Sequence, residues 1–408
     1  MDNPVRRIVI VSDYGDVRGG LEKVAIESAL GLRAAGMDVV FFCGVAPVDP
    51  RLEKTGVKVV CLGLTDIASN PSRVNAMRTG LWNPAAAQRL NEVVRDTDDL
   101  SGTVVHVHGW TKSLSSAIGP VVTAQDLRHV FTMHEYFFAC PNGGFFDYQK
   151  NTICRRVAMS RDCILTNCDS RHASHKAFRV LRQAVQKNIG KLPKNVRNVI
   201  RISALQNEVM RPYFDDKTKF FHVPNPAVST QRAAVDVEGN DEFHFVGRLV
   251  ETKGAVDFAK AAQAAGVKPV FIGDGPQREE IRNANPDARI LGWQDPDQVL
   301  EHLRNARALV FPSLWYECQP LVPLEAIALG IPVVCGDWGA ARECIADGET
   351  GLLISSVAPN GDFTSALKRL SDARYAAKLG AEAYRRYWQD PLTMDRHLTT
   401  LTDVYRQV

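Results

Sequence analysis

The sequence predicts an α/β protein made of two doubly wound, parallel-sheet domains facing a central cleft. Three observations carry this expectation. Short β-branched runs alternate with helical patterns along the 408 residues, as in a parallel sheet wound with crossover helices. The alternation breaks once, after Asn225-Pro226, at the polar and aperiodic stretch AVSTQRAAVDVEGNDE, and then resumes. The chain is also longer than one core sustains, since cores stop growing near ~250 to 300 residues.

In the first half the strand candidates are RIVIVS (7–12), DVVFFC (38–43), VKVVCL (57–62), TVVHVH (103–108), HVFTMH (129–134), NVIRIS (198–203) and KFFHVP (219–224). The first helix opens after the glycine pair Gly19-Gly20 and stops at Gly36, a C-cap signal. The second series comprises FHFVGRL (243–249), PVFIGDG (269–275), ARILGW (288–293), ALVFPS (308–313), PVVCGD (332–337) and GLLISS (351–356). The expected domains are therefore 1–226 and 227–388, joined by a linker near 227–241. Beyond Asp390-Pro391, within 389–408, LTMDRHLTTLTDVYRQV reads as a closing helix. No repeat of 20 to 50 residues is visible, which argues against a solenoid.

Hydrophobic content of 45% and charged content of 23% are those of a folded globular chain, and a net charge of +3 implies no bulk attraction to nucleic acid. The N-terminal MDNPVRRIVIVSDYG shows no signal peptide, and no apolar run approaches the ~20 residues of a membrane span, so a cytoplasmic protein is expected. Nine cysteines, several inside apolar runs (Cys43, Cys61, Cys335), argue for reduced thiols.

Ligands of such sheets bind beyond the carboxyl ends of the strands. VGRLVETKG places Gly247 and Arg248 at a strand end and delivers Lys253 into the next helix. A rigid Arg fork, a mobile Lys charge and a helix N-terminus suit a diphosphate; a solvated pair in an ordinary loop is the bland alternative. FIGDGPQREEI brings Gly273 and Gly275 to a strand-to-helix turn. It lacks the third glycine and the ribose acid of a nicotinamide site, so it reads as a turn shaping a nearby nucleotide pocket.

WYECQPLVPLEA sets Glu317 in a loop and Glu325 in a helix expected to start near Pro323 and end at Gly330. Were the whole segment helical, eight positions would separate the two acids by about 12 Å, beyond the ~5 to 9.5 Å of paired hydrolytic carboxylates. A carboxylate accepts hydrogen bonds and suits neighbouring hydroxyls. One diol per acid, with Arg248 and Lys253 on a diphosphate, describes a nucleotide sugar. The alternative leaves Glu325 serving its helix and Glu317 solvated.

VGRLVETKG, FIGDGP, LGW, FPSLWYECQPLVPLEAIALGIPVV and GAARECIADGETGLL, in this order and spacing, resemble the nucleotide-sugar half of retaining family 4 glycosyltransferases with the GT-B fold of two Rossmann-like domains. RGGLEKVAIESALGLRAAGMDVV, VVHVHG, FTMHEY and FHVPNP are similar to that family's first half. The resemblance implies that Glu317 holds the hydroxyls of the transferred sugar and Glu325 the ribose. Arg248 and Lys253 would neutralise the diphosphate, helped by backbone N–H groups at Cys318, Gln319, Pro320 and Leu321, of which Pro320 itself lacks one. Gly19 and Gly20 would let their loop approach phosphates or acceptor, Gly292 and Trp293 would lie beside the base, and His108 matches the family's histidine near the sugar. Such enzymes retain anomeric configuration without an assigned protein nucleophile and imply no required metal. The implied activity is hexose transfer to a glycan or lipid-linked acceptor in cell-surface polysaccharide or glycolipid synthesis, with the closing helix crossing back to the first domain.

Two segments depart from the bare pattern. Cys140, Cys154, Cys163 and Cys168 cluster within HEYFFACPNGGFFDYQKNTICRRVAMSRDCILTNC. Four thiols suit a structural zinc, but no C-x-x-C pair is present, and free thiols or a packed loop are the alternatives. The stretch from Ser170 to Asn207 holds Arg171, Lys176, Arg179, Arg182, Lys187, Lys191, Lys194, Arg197 and Arg201 with no acid. Its Phe178, Leu181, Val185 and Ile189 recur at helical spacing, giving either a basic amphipathic helix for an anionic membrane or lipid diphosphate, or a core-facing stripe under a solvated basic face. A different functional class is a sugar-nucleotide epimerase with His108, His134 and Glu135 as bases, or an inert nucleotide-sugar binder.

Overall fold

The run Ile8-Val9-Ile10-Val11 is fully buried on both of its faces, so it forms an interior strand of a parallel sheet. The computed structural model describes residues 5–228, 230–358 and 361–408. Its strands are β1 (Arg7–Gly15), β2 (Asp38–Val48), β3 (Lys58–Cys61), β4 (Thr103–Val107), β5 (Arg128–Thr132), β6 (Phe146–Asp147), β7 (Thr152–Ile153), β8 (Asn198–Arg201), β9 (Lys219–His222), β10 (Glu242–Val246), β11 (Lys268–Ile272), β12 (Arg289–Gly292), β13 (Ala306–Phe311), β14 (Val333–Gly336) and β15 (Gly351–Ile354).

The first sheet has the order β3-β2-β1-β4-β5-β8-β9 and the second β12-β11-β10-β13-β14-β15, with every recorded pairing in both parallel. In each, the chain starts in the interior, builds outward in one direction, and then crosses to the other side of the first strand. Each sheet therefore has a switch point, between β1 and β4 in one and between β10 and β13 in the other, where loops diverge and leave a crevice.

The chain divides into two compact units, one comprising 1–145, 155–226 and 394–408, the other 146–154 and 227–393. The excursion Phe146–Cys154 carries the small antiparallel β6–β7 pair, which nothing in the hydropathy pattern marks. The core of the second unit gathers Phe245, Phe258, Phe271 and Phe363, none more than 2% exposed, between its sheet and helices.

The helix Met394–Gln407 belongs to the first unit and packs on the helix Gly20–Ala34. A Cβ at Gly31 would stand 2.3 Å from Leu398 Cδ1, so a larger residue here would force the leucine side chain to move. His397 Nε2 lies 3.1 Å from Ser28 Oγ, its Nδ1 lies 3.0 Å from the Pro224 carbonyl, and Tyr405 OH lies 2.7 Å from His106 Nδ1.

Two local departures from expectation have simple causes. The helix expected near Pro323 starts at Leu321, because proline within a first turn forfeits no hydrogen bond; Glu325 accordingly lies one turn in. The helix Ala173–Asn188 is turned the opposite way from a core-facing apolar stripe. Leu181 is 50% and the adjoining Ile189 55% exposed, while Lys176, Gln183 and Gln186 are buried. Its inner face meets polar groups that need donors: Gln183 Nε2 donates to the Phe138 carbonyl at 3.0 Å and Gln186 Nε2 to that of Phe137 at 2.9 Å.

Candidate active site

In the second unit the polar residues gather beyond the carboxyl ends of β10 and β13. The backbone leaving β10 continues to pair: Gly247 N donates to Ile272 O at 3.0 Å, Leu249 N to Asp274 O at 2.9 Å and Gly273 N to Gly292 O at 2.8 Å. Gly247, Gly273 and Gly292 thus lie on three neighbouring strand ends. Gly273 has φ +143, and a Cβ there would sit 2.0 Å from the Gly247 carbonyl, so a side chain would break the floor of this loop cluster. Arg248 is exposed, and so is Trp293, at 74%.

Lys253 ends a 3₁₀ turn, Glu251–Lys253, that runs through Gly254 into the helix Ala255–Ala265. The loop after β13 is tied to this turn, with Leu314 N donating to Thr252 O at 2.9 Å. The tie brings Glu317 to Lys253. Glu317 Oε1 accepts from Lys253 Nζ, from Trp315 Nε1 at 2.7 Å and from Ser313 Oγ at 2.9 Å. The side chain is 14% exposed. Burial pushes its carboxyl up, but the Lys253 charge and the three donors outweigh burial and hold it below the usual glutamate value. The result is a fixed carboxylate whose Oε1 is fully engaged. The Lys253 ammonium also lies 5.5 Å from the centre of the Trp315 ring. Cys318, Gln319 and Pro320 lead from Glu317 into the helix Leu321–Ala328, whose capping position, Pro320, offers no side-chain hydrogen bond. Among the described residues no side chain caps its first N–H groups. Glu325 is partly buried on that helix.

In the first unit the corresponding strand ends are those of β1, β4 and β5. Asp13, 3% exposed, uses Oδ1 to accept from Ser113 N at 2.8 Å, Leu114 N at 3.1 Å and Ser113 Oγ at 2.9 Å, and Oδ2 to accept from Lys112 N at 2.9 Å. His108, just beyond β4, is 2% exposed; its Nδ1 lies 2.9 Å from His134 Nε2, and its ring is 4.0 Å from that of His106. Burial, with His106 and His134 adding to it, holds His108 well below the ordinary histidine value, and burial brings His134 down to about 3. Both rings are neutral at physiological pH. His108 Nε2 is buried without a hydrogen-bond partner among the described residues. Glu135 lies 4.0 Å from the Lys112 ammonium. Gly19 precedes the helix Gly20–Ala34, and a Cβ at Gly20 would meet nothing within 4 Å, so packing within the fold does not require glycine there.

Of the two cysteine alternatives, free thiols hold and the zinc site is corrected. Among the described residues no group of three or more His, Cys, Asp or Glu side chains is arranged to hold a metal ion. Cys140, Cys163 and Cys168 are in the first unit and Cys154 in the second. The buried Lys176 donates to Cys168 Sγ at 3.2 Å and approaches Cys163 Sγ at 3.8 Å, setting an ammonium where a cation would sit. The basic surface is also smaller than its residue count. Lys176 is buried, Arg179 Nε pairs with the fully buried Asp169 carboxylate at 2.9 Å, and Arg182 Nη1 donates to the Thr111 carbonyl at 3.1 Å. Arg171, Lys187, Lys191, Lys194 and Arg197 remain exposed.

Sequence reasoning missed Ser313 and Trp315, since their role depends on a loop closing back on Glu317. It missed Asp13 as well, although an acid directly after an apolar strand in IVIVSDYG was a readable signal.

Residues 240–373 match the family model described as "Glycosyl transferases group 1", and residues 19–186 match the "Glycosyl transferase 4-like domain". A GDP-mannose-dependent alpha-mannosyltransferase of Mycobacterium tuberculosis is 31% identical over 170 residues, 40% of this chain and 42% of that protein. An alpha-maltose-1-phosphate synthase of the same species is 28% identical over 341 residues, 78% of each chain. The chain spans 24% and 42% of the length of the first two curated relatives it matches. Among solved structures, sucrose-phosphate synthase from Thermosynechococcus elongatus is similar with a TM-score of 0.68 at 19% identity over 98% of both chains. HepE of Anabaena, solved with UDP and glucose, is similar with a TM-score of 0.64 at 13% identity over 98% of this chain and 99% of that one. At such identities the likeness is one of fold, and two parallel-sheet α/β domains of this kind define the GT-B class. Within that class the chain belongs to the family 4-like glycosyltransferases.

Proposed function

We propose that the protein is a retaining glycosyltransferase that moves a hexose from a nucleotide diphosphate sugar to a hydroxyl of a glycan or lipid-linked acceptor, in the synthesis of cell-surface polysaccharide or glycolipid. The observation that carries this reading is the Glu317 carboxylate, pinned through one oxygen by Lys253, Trp315 and Ser313 at the entrance to the helix Leu321–Ala328. A carboxylate held so is preorganised to accept hydrogen bonds from sugar hydroxyls with its other oxygen. Family membership supports nucleotide-sugar chemistry, as do the GDP-mannose of one relative and the UDP and glucose of one structural neighbour.

In this reading residues 227–388 bind the donor, residues 1–226 the acceptor, and 389–408 complete the first domain. Arg248, Lys253 and the N–H groups from Cys318 to Leu321 take up the charge of the departing diphosphate without a metal. Glu325 holds the ribose, Trp293 lies beside the base, and Gly247, Gly273 and Gly292 keep side chains out of the nucleotide's path. The acceptor hydroxyl attacks the anomeric carbon on the face the diphosphate leaves, and its proton passes to the departing phosphate oxygen. His108, Gly19 and Gly20 take the family's roles near sugar and phosphate. Uridine and guanosine diphosphates separate donor classes in a thermal-shift measurement. At 100 times its dissociation constant the matching one stabilises by about 2.7 kcal/mol, and Arg248→Ala weakens the shift. Absence of any shift with every nucleoside diphosphate would remove the donor assignment.

The protein also docks, in this reading, on an anionic membrane. Among the described residues no helix is long and apolar enough to cross one. Support comes from the outward Leu181 and Ile189 beside the exposed Lys187, Lys191 and Lys194, each basic group contributing ~1 kcal/mol near such a surface. Flotation with phosphatidylglycerol vesicles is expected to be salt-sensitive and reduced in the double variant Leu181→Gln, Ile189→Gln. Binding that is indifferent to salt and to both substitutions contradicts it.

A further inference from the structure

Lys176 is only 3% exposed, and among the described residues no carboxylate is paired with its ammonium; the buried Asp169 is engaged by Arg179. What the ammonium faces is sulfur, with Cys168 Sγ at 3.2 Å and Cys163 Sγ at 3.8 Å. Asn142 Nδ2 donates to the same Cys168 sulfur at 3.2 Å and holds the Cys168 carbonyl at 2.9 Å. A buried ammonium calls for a counter-charge, and two N–H donors converging on one sulfur favour the thiolate over the thiol. Burial pushes the Lys176 ammonium down, but the hydrogen bond it donates to Cys168 and the neighbouring cysteine sulfurs outweigh burial and raise it above the usual lysine value. A thiolate is the form of cysteine that peroxides oxidise. The transfer chemistry proposed above uses none of these residues.

We propose that Cys168 and Lys176 form an oxidisable pair that a hydroperoxide converts into a covalent, thiol-reversible link between the segment before the helix Ala173–Asn188 and the helix itself. The Cys168 thiolate attacks one peroxide oxygen, the O–O bond breaks, and sulfenic acid and hydroxide form. Hydroxide takes a proton from the Lys176 ammonium. The freed amine attacks the sulfenic sulfur, the S–O bond breaks, and an S–N bond forms with loss of water. Thiolate, ammonium and one hydrogen peroxide thus become the sulfenamide and two waters, with sulfur oxidised by two electrons and peroxide reduced. The amine is placed for this by its 3.2 Å approach.

The full-length protein treated with a few equivalents of hydrogen peroxide and digested with trypsin distinguishes the outcomes. Both cysteines lie in peptide 162–171, whereas Lys176, once blocked, leaves peptide 172–179 uncut. The expected product is these two peptides joined, about 2 Da below the sum of their masses, released by dithiothreitol and absent from Cys168→Ser. Without peroxide the Cys168→Ser variant should still melt cooperatively but at a lowered midpoint, because the buried Lys176 ammonium loses its counter-charge, and a cooperative melt separates loss of the link from loss of the fold. The proposal is overturned by an internal Cys163–Cys168 disulfide within 162–171, by higher oxidation of Cys168 without a link, by no reaction, or by one equivalent of zinc in the protein as purified.

Discussion

Replacing Glu317 by glutamine is expected to lower sugar transfer by ~10²- to 10³-fold, the magnitude lost when one preorganised polar group of a reacting site is removed. The amide matches the carboxylate in shape, so the loop after β13 keeps its path. What changes is that an oxygen accepting from Lys253, Trp315 and Ser313 no longer carries charge. If the group faces the sugar hydroxyls in the transition state, the loss falls on kcat, with little change in the binding of the nucleoside diphosphate alone. Trp315→Phe removes a single donor and should produce a smaller loss of the same kind, since Ser313 and Lys253 still hold the carboxylate. Full transfer activity in Glu317→Gln contradicts the role proposed for this residue.

The largest stability effect is expected at Asp13→Ala. The Asp13 carboxylate accepts three backbone N–H groups and one hydroxyl from the segment Lys112–Leu114. Alanine leaves those donors buried without a partner, at an expected loss of about 3 to 5 kcal/mol. Urea unfolding followed by circular dichroism measures it. A midpoint unchanged from that of the unmodified protein would show that water replaces the carboxylate at no cost.

The two residues also mark how far the sequence could be read. All thirteen strand candidates are strands of the parallel sheets, because an interior parallel strand needs an uninterrupted β-branched run and such runs are local. The turn around Gly36 is local too, at φ +87. The switch points are not. They arise from strand order, which decides that His108 after β4 comes to lie against His134 after β5, and no spacing in the chain announces it. The helix Ala173–Asn188 shows a different limit. Its apolar residues have the right period, but hydropathy assumes that the apolar face turns inward. Here the carbonyls of Phe137 and Phe138 and the sulfur of Cys168 had to be given donors, and Gln183, Gln186 and Lys176 meet that need. The cysteine cluster stayed undecided between zinc and free thiols for the same reason, because the cation among the thiols is a side chain encoded eight residues beyond the last of them.

The helix Met394–Gln407 has a bearing on biosynthesis. A ribosome makes the chain from one end, yet the first unit draws on residues on both sides of the second. During synthesis the face of Gly20–Ala34 that will meet Leu398, the Ser28 hydroxyl that will meet His397 and the Nδ1 of His106 that will meet Tyr405 wait for these partners until the whole second unit has been translated. The second unit suffers no comparable wait for the bulk of its fold, since 227–393 is continuous. The nascent protein is thus expected to carry a finished second unit while the first is still open along one helix. In that interval, chaperones and proteases have their clearest access to it.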